Sequence, residues 1–149
     1  MSKTLFEALR EDHDIQRELL DKLLKTSSDS PDRDRLYRRL RAELQHHAGA
    51  EERALYIPMM AHDLTQEKAR HSVAEHHEID ELLETLDGTD YASPGWLTHA
   101  RNLEDKVLHH LEEEEHEVFQ LAGRGLQDDQ KTSLAGEYKK EMARRREQD

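Results

Sequence analysis

In two segments a histidine stands four residues ahead of a glutamate: His47 before Glu51 in "QHHAGAEERALY", and His110 before Glu114 in "LHHLEEEEHEVF". On a helix that spacing sets both side chains on one face, a turn apart. An imidazole nitrogen and a carboxylate oxygen so placed can close on one cation. Two single histidines, His13 in "EDHDI" and His76 in "AEHHEI", sit in apolar stripes of helical period. The stripes read Leu5, Leu9, His13, Leu20, Leu24 and Val73, His76, Leu83. Leu36 and Leu40 lead to His47 and Glu51 in the same way, and Leu103 and Val107 lead to His110 and Glu114. These are steps along one helix face, so six polar side chains point at a core. Burying them alone is unfavourable, above all for the carboxylates. A divalent or trivalent metal removes that cost by taking the lone pairs. Imidazole and carboxylate donors without sulfur suit iron, with manganese and zinc fitting less well.

The elements that must position these residues are duplicated. A shift of 63 residues, from Asp12 to Glu75, lays "DHDIQRELLDKL" on "EHHEIDELLETL" and "QHHAGAEERALY" on "LHHLEEEEHEVF" without a gap. Ser30–Pro31 falls on Ser93–Pro94, and Leu40 on Leu103. In the same register His13 falls on His76, His47 on His110 and Glu51 on Glu114. The repeat predicts one helical hairpin and its copy. Two such hairpins make an all-α, up-down-up-down four-helix bundle with a pseudo-twofold axis. Counted from the helix joints, the six side chains reach one layer at mid-bundle. The twofold pattern implies two metals, with Glu51 and Glu114 each able to bridge them.

Punctuation along the chain agrees. "TLFE" offers Thr4 and Glu7 as a capping box. Ser30 and Ser93 each precede a proline suited to a first helical position. Thr65 is read as the cap of the third helix, and Pro58 as the break that ends the second near "YIPMM". The fourth helix stops at "AGRG". A bundle over residues 1–125 is then followed, over 126–149, by a short fifth helix and a charged tail. The fifth helix has a sparse stripe of Leu134, Tyr138 and Met142, so it is expected to pack loosely or fray.

Composition excludes several classes. The chain has 149 residues, one domain's worth, 38% charged and 34% hydrophobic. A net charge of −12 argues against nucleic acid, which attracts a basic face. The absence of cysteine removes disulfides, thiolate sites and iron–sulfur clusters. No apolar run approaches the ~20 residues of a membrane span. The expectation is a cytoplasmic protein, monomeric or a weak homodimer, with a small molecule as its partner.

The segments "EDH", "HHAGAEERALYIP", "AEHHEIDELL" and "HHLEEEEHEVF" resemble the hemerythrin-like (HHE cation-binding) domains over residues 5 to 122. The resemblance implies a non-heme di-iron centre with a bridging oxo or hydroxo group. Its ligands would be His13, His47, Glu51, His76, His110 and Glu114. Blood-type hemerythrins carry a fifth histidine one turn from the third-helix ligand. Here those positions are Ser72 and Asp80. Asp80 is therefore either a seventh ligand or the partner of its register mate Arg17. With four histidines, two bridging carboxylates and a bridging oxygen, each six-coordinate iron keeps one open position. Such a site suits ligands that contact both metals.

Other readings compete. An E-x-x-H pattern like that of ferritin-type bundles occurs at Glu43/His46 and Glu113/His116, out of the repeat's register. His46 and His109 are read as flanking residues. Glu112, Glu113, Glu115 and Glu117 are read as a solvated face, with Glu52 and Glu115 near enough to shift inward. Tyr56 and Phe119 are read as core packing, and a metal-free polar core remains the bland alternative. Two functional classes follow. One is a redox enzyme acting on peroxide or nitric oxide. The other is a module that binds, stores or senses oxygen, nitric oxide or iron. A sensor needs an output domain and a nitrosative-damage repair protein a cysteine-bearing leader, so a stand-alone protein reacting with a small oxidant is the expectation.

The repeat makes Glu51 and Glu114 equivalent. Glu51→Ala and Glu114→Ala should lose metal to a similar degree, while Glu112→Ala and Glu113→Ala leave metal content unchanged, as measured by metal analysis of the purified variants. An equal loss at Glu112 or Glu113 would mean that the other face of the acidic run is the one turned inward.

Overall fold

The computed structural model describes residues 4–147. The expected all-helical bundle is observed, and its boundaries follow local chemistry. Helix α1 spans Leu5–Leu24, and Thr4 caps it by accepting from the Glu7 backbone N–H at 3.3 Å. Helix α2 spans Pro31–Glu51, with Ser30 accepting from Arg33 N–H at 3.1 Å. It continues through a π-helical turn, Glu52–Tyr56, into α3, Ile57–Met60. Helix α4 spans Asp63–Asp87. Helix α5 spans Pro94–Glu113, capped by Ser93, and runs through a second π turn, Glu114–Val118, into α6, Phe119–Gly125. Helix α7 spans Asp128–Glu147. Helix α1 pairs with α2 and α4 with α5, as the duplicated hairpin predicts.

Two expectations need correction. Thr65 does not cap α4; His62 holds that position. The Thr65 hydroxyl instead donates to the Met59 carbonyl at 2.6 Å, beside the His62 N–H that the same oxygen accepts at 3.2 Å, and so ties α4 to the end of α3. The fifth helix does not pack loosely. Helix α7 lies against α1 and α2 and buries Ala135, Tyr138 and Met142. Its basic end is paired too, since Arg146 bonds Glu43 at 2.9 and 3.0 Å and Asp12 at 3.3 Å. The sparse stripe suffices because α7 packs on small residues, Ala50 at the end of α2 and Ala54 in the π turn that follows.

The core falls into two apolar clusters. One, at the α3/α6 end, gathers Leu5, Leu9, Leu55, Met59, Phe119 and Tyr138 among others. The other, at the inter-helix joints, gathers Leu20, Leu40, Leu83, Trp96, Leu103 and Val107 among others. Arg33 locks this second end. Its buried guanidinium bonds Thr26 and the Tyr91 carbonyl, so it ties the two hairpin joints together, and it lies 4.5 Å from the ring of its own register mate, Trp96. The layer between the two clusters is polar, and the six residues of the H-x-x-x-E pairs and single histidines occupy it.

Leu40 and Leu103 are fully buried register mates remote from that layer. Leu40→Ala and Leu103→Ala should each cost about 2–5 kcal/mol. Chemical denaturation should show the same loss in metal-loaded and chelated protein, because neither side chain touches the polar layer.

Candidate metal centre

His13, His47, Glu51, His76, His110 and Glu114 are each at most 5% exposed. The structure brings all six together. The ligand atoms of His13, His47, Glu51 and Glu114 lie within 4.8 Å of one another, and so do those of Glu51, His76, His110 and Glu114. The two groups share both carboxylates. The distances repeat across the pseudo-axis. His13 Nε2 lies 3.1 Å from Glu114 Oε1, and its mate His76 Nε2 lies 3.2 Å from Glu51 Oε1. His47 Nε2 is 3.4 Å from Glu51 Oε2, and His110 Nε2 is 3.3 Å from Glu114 Oε2.

The outer nitrogens explain why the inner ones face the centre. His13 Nδ1 is 2.8 Å from Glu115 Oε2, and His76 Nδ1 is 3.2 Å from Glu52 Oε1. His110 Nδ1 is 3.0 Å from Glu75 Oε1. His47 Nδ1 is 2.5 Å from the Tyr138 hydroxyl, which in turn donates to Asp12 Oδ2 at 2.5 Å. Carboxylates only accept, so the proton of a neutral imidazole sits on Nδ1 and the Nε2 lone pair points inward. Inside the layer His13 Nε2, His47 Nε2, Glu51 Oε2 and Glu114 Oε1 are buried without a hydrogen bond. Buried polar atoms are rarely left so. Nitrogen and oxygen lone pairs converging in two sets are the donor pattern a pair of cations fits.

Several side chains join the site that the sequence reading set aside. Tyr56 is not mere packing. Its hydroxyl lies 2.8 Å from Glu51 Oε1 and against Glu114 Oε2, so its one proton is shared between the two carboxylates. An α-helix turns ~100° per residue, which would leave position i+5 about 140° round from Glu51. The π turn widens the helix and brings Tyr56 beneath Glu51. Its mate Phe119 has no hydroxyl to offer; it stacks on His13, with ring centroids 5.9 Å apart, and packs against Phe6 at 5.1 Å. Glu52 and Glu115, the register mates expected to be near enough to shift inward, do so and become the acceptors for His76 and His13. Glu75 and Tyr138 were missed altogether. The signal for Glu75 was its place one residue before His76, in register with Asp12.

Asp80 is not among the converging donors. It is half-buried and lines a cavity of about 10 Å³ with Gln16, Leu44, His47, His76 and His110. Arg17, the alternative partner for Asp80, instead bonds Asp14 at 3.0 Å and Glu115 at 2.6 Å. The ferritin-type pairing is not assembled, because Glu43 faces Arg146.

Charge in the layer is set by burial and by close partners. Burial opposes the charged form of His110, but hydrogen bonds to Glu114 and Glu75 outweigh it and raise the imidazole to about 10. His76 is raised to about 9 in the same way, burial being outweighed by Glu51 and Glu52. Burial raises Glu75 and Glu115, yet the histidines they accept from bring each down to about 2. Without metal, then, the histidines add stability below their ordinary value of 6.5 and lose it as pH rises through 9 to 10. The carboxylates add stability above their ordinary 4.5 and lose it as pH falls toward 2. Chelated protein should therefore melt highest at about pH 5–6 and lose stability as pH rises toward 10. Metal binding needs neutral imidazoles, so the stabilisation that metal adds should grow with pH and vanish in acid. Melting temperatures across pH, with and without chelator, check both slopes.

The family model for the hemerythrin HHE cation-binding domain matches residues 4–122, which includes all six converging side chains. No protein with a curated description matches the chain. Among solved structures, the chain is similar to a hemerythrin HHE cation-binding domain-containing protein from Mycobacterium kansasii. The identity is 22% over 98% of this chain and 89% of that one, with a TM-score of 0.88. That likeness extends through α7, which lies beyond the family model's match. With a duplicated H-x-x-x-E set folded into one buried layer, and a family match over most of its length, the chain belongs to the hemerythrin HHE cation-binding domain family.

Proposed function

We propose that the chain holds two iron ions between Glu51 and Glu114 and uses them to react with a small oxidant, hydrogen peroxide above all. The observation that carries this reading is the pair of four-residue donor groups sharing both carboxylates. One ion would sit with His13 and His47, the other with His76 and His110. Nitrogen and oxygen donors without sulfur favour iron over softer metals. Bound iron supplies redox equivalents and Lewis-acid polarisation of a small oxygen ligand.

The remaining work falls to this chain's residues. Glu52, Glu75, Glu115 and Tyr138 hold the four imidazoles in one tautomer. The two apolar clusters exclude bulk water from the layer on either side. The Tyr56 O–H is held between Glu51 and Glu114, a proton donor facing the centre. The cavity of about 10 Å³ beside His47, His76 and His110 admits a molecule of water's size, and nothing larger without rearrangement. Room on that scale favours a small inorganic reactant over an organic substrate.

Purified protein loaded with iron should carry two irons per chain and evolve oxygen when peroxide is added. His110→Ala should lose most of both, and Glu112→Ala should lose neither. A stable, reversible oxygen band without turnover would move the assignment to a carrier or store. One magnetically isolated iron per chain would contradict the shared-carboxylate geometry.

A further inference from the structure

The 63-residue register predicts that whatever holds His110 should also hold His47. It does not. His110 Nδ1 meets the Glu75 carboxylate directly at 3.0 Å, with Lys106 3.6 Å from that residue's other oxygen. The mate of Glu75 is Asp12, one methylene shorter. The Tyr138 hydroxyl fills the difference, accepting from His47 at 2.5 Å and donating to Asp12 at 2.5 Å. Tyr138 is 1% exposed and comes from α7, which has no counterpart on the other hairpin among the described residues.

The surface under α7 is shaped for it. Gly49, Ala50 and Ala54 line the covered side, beside Glu137 and Glu141 of α7, and the guanidinium of Arg145 lies against Gly49. Their register mates are Glu112, Glu113 and Glu117. The covered face is small and the uncovered face polar, so α7 docks on one hairpin only. Packing alone asks for an aromatic ring at 138 but not for a hydroxyl bonded on both sides.

We propose that α7 is a working arm of the metal centre. Tyr138 is a positioning residue that backs His47 with a neutral hydroxyl, and so makes the His13/His47 position the weaker of two inequivalent metal positions. This rests on the two-metal reading above. A histidine whose Nδ1 proton is shared with a carboxylate donates more strongly through Nε2 than one bonded to a hydroxyl. The other histidine of the weak position adds to the difference, since its acceptor Glu115 is also claimed by Arg17 at 2.6 Å. The duplicated fold thus supplies two like sites, and the appended helix makes them unlike.

The test is anaerobic titration of the full chain with iron-57 as Fe(II) against a competing chelator, followed by Mössbauer spectroscopy at one and two equivalents. Wild-type protein should bind two ions in two unequal steps and show two distinct iron signals. Tyr138→Phe should weaken the looser step by about 10- to 100-fold and leave the tighter step in place, with helix content retained. Asp12→Glu combined with Tyr138→Phe rebuilds the Glu75–His110 arrangement and should restore the lost step, bringing the two signals together. Glu75→Gln should weaken the tighter step instead. If Tyr138→Phe fails to fold, Asp12→Asn leaves the α7 ring packed and should weaken the looser step alone. Two equal steps in the wild type, or unchanged binding in both Tyr138→Phe and Asp12→Asn, overturns the inference while leaving two metals standing. Uptake of one ion or none by the wild type overturns the two-metal reading, and this inference with it.

Discussion

Everything in this molecule is arranged around a layer that its own side chains cannot satisfy. Four imidazoles and two carboxylates are buried between two apolar clusters. Their outer atoms are paired with protein, but inner atoms such as His47 Nε2 and Glu51 Oε2 have no hydrogen-bond partner. Burying such groups costs several kcal/mol per ion unless something takes the inward lone pairs. A stable apolar core could fill that volume far more simply. The layer makes physical sense as a cation site, and the helices around it act as a cage whose apolar ends keep it dry.

Much of this was legible in the sequence because helical period and duplication constrain each other. Period alone places His47 and Glu51 on one face. The repeat then supplies the same pair at His110 and Glu114, and the two agree only if both faces point at a common axis. Ser30–Pro31 and Ser93–Pro94 mark the joints because a cap and a proline act locally, needing no tertiary partner. What was not legible depended on departures from regular geometry or on distant chain. Tyr56 enters the site only because a π turn rotates it there, and nothing in the residue types announces that turn. Tyr138 reaches His47 across 91 positions of sequence, from a helix whose stripe looked too thin to dock. Thr65 was misplaced because a threonine can cap the helix before it as readily as the one after.

Duplication also shows where function breaks symmetry. Phe119 stacks on His13 as Tyr56 lies by His76, but only Tyr56 carries a hydroxyl to the shared carboxylates. Asp12 and Glu75 hold mates, yet one acts through Tyr138 and the other directly. Gly49 and Glu112 occupy the same register, one beneath α7 and one exposed. Each pair keeps the helical scaffold and differs only in the side chain it presents. The two-fold cage thereby carries the Tyr56 hydroxyl on one side and the α7-borne Tyr138 hydroxyl on another.

The proposed pair of cations between Glu51 and Glu114 is open to direct test. Anomalous diffraction at the iron edge, from crystals of iron-loaded protein, addresses it most directly. Two iron peaks are expected, one among His13, His47 and the shared carboxylates and the other among His76, His110 and the same carboxylates. A single peak, or peaks confined to the exposed acidic face around Glu112 and Glu117, would contradict it.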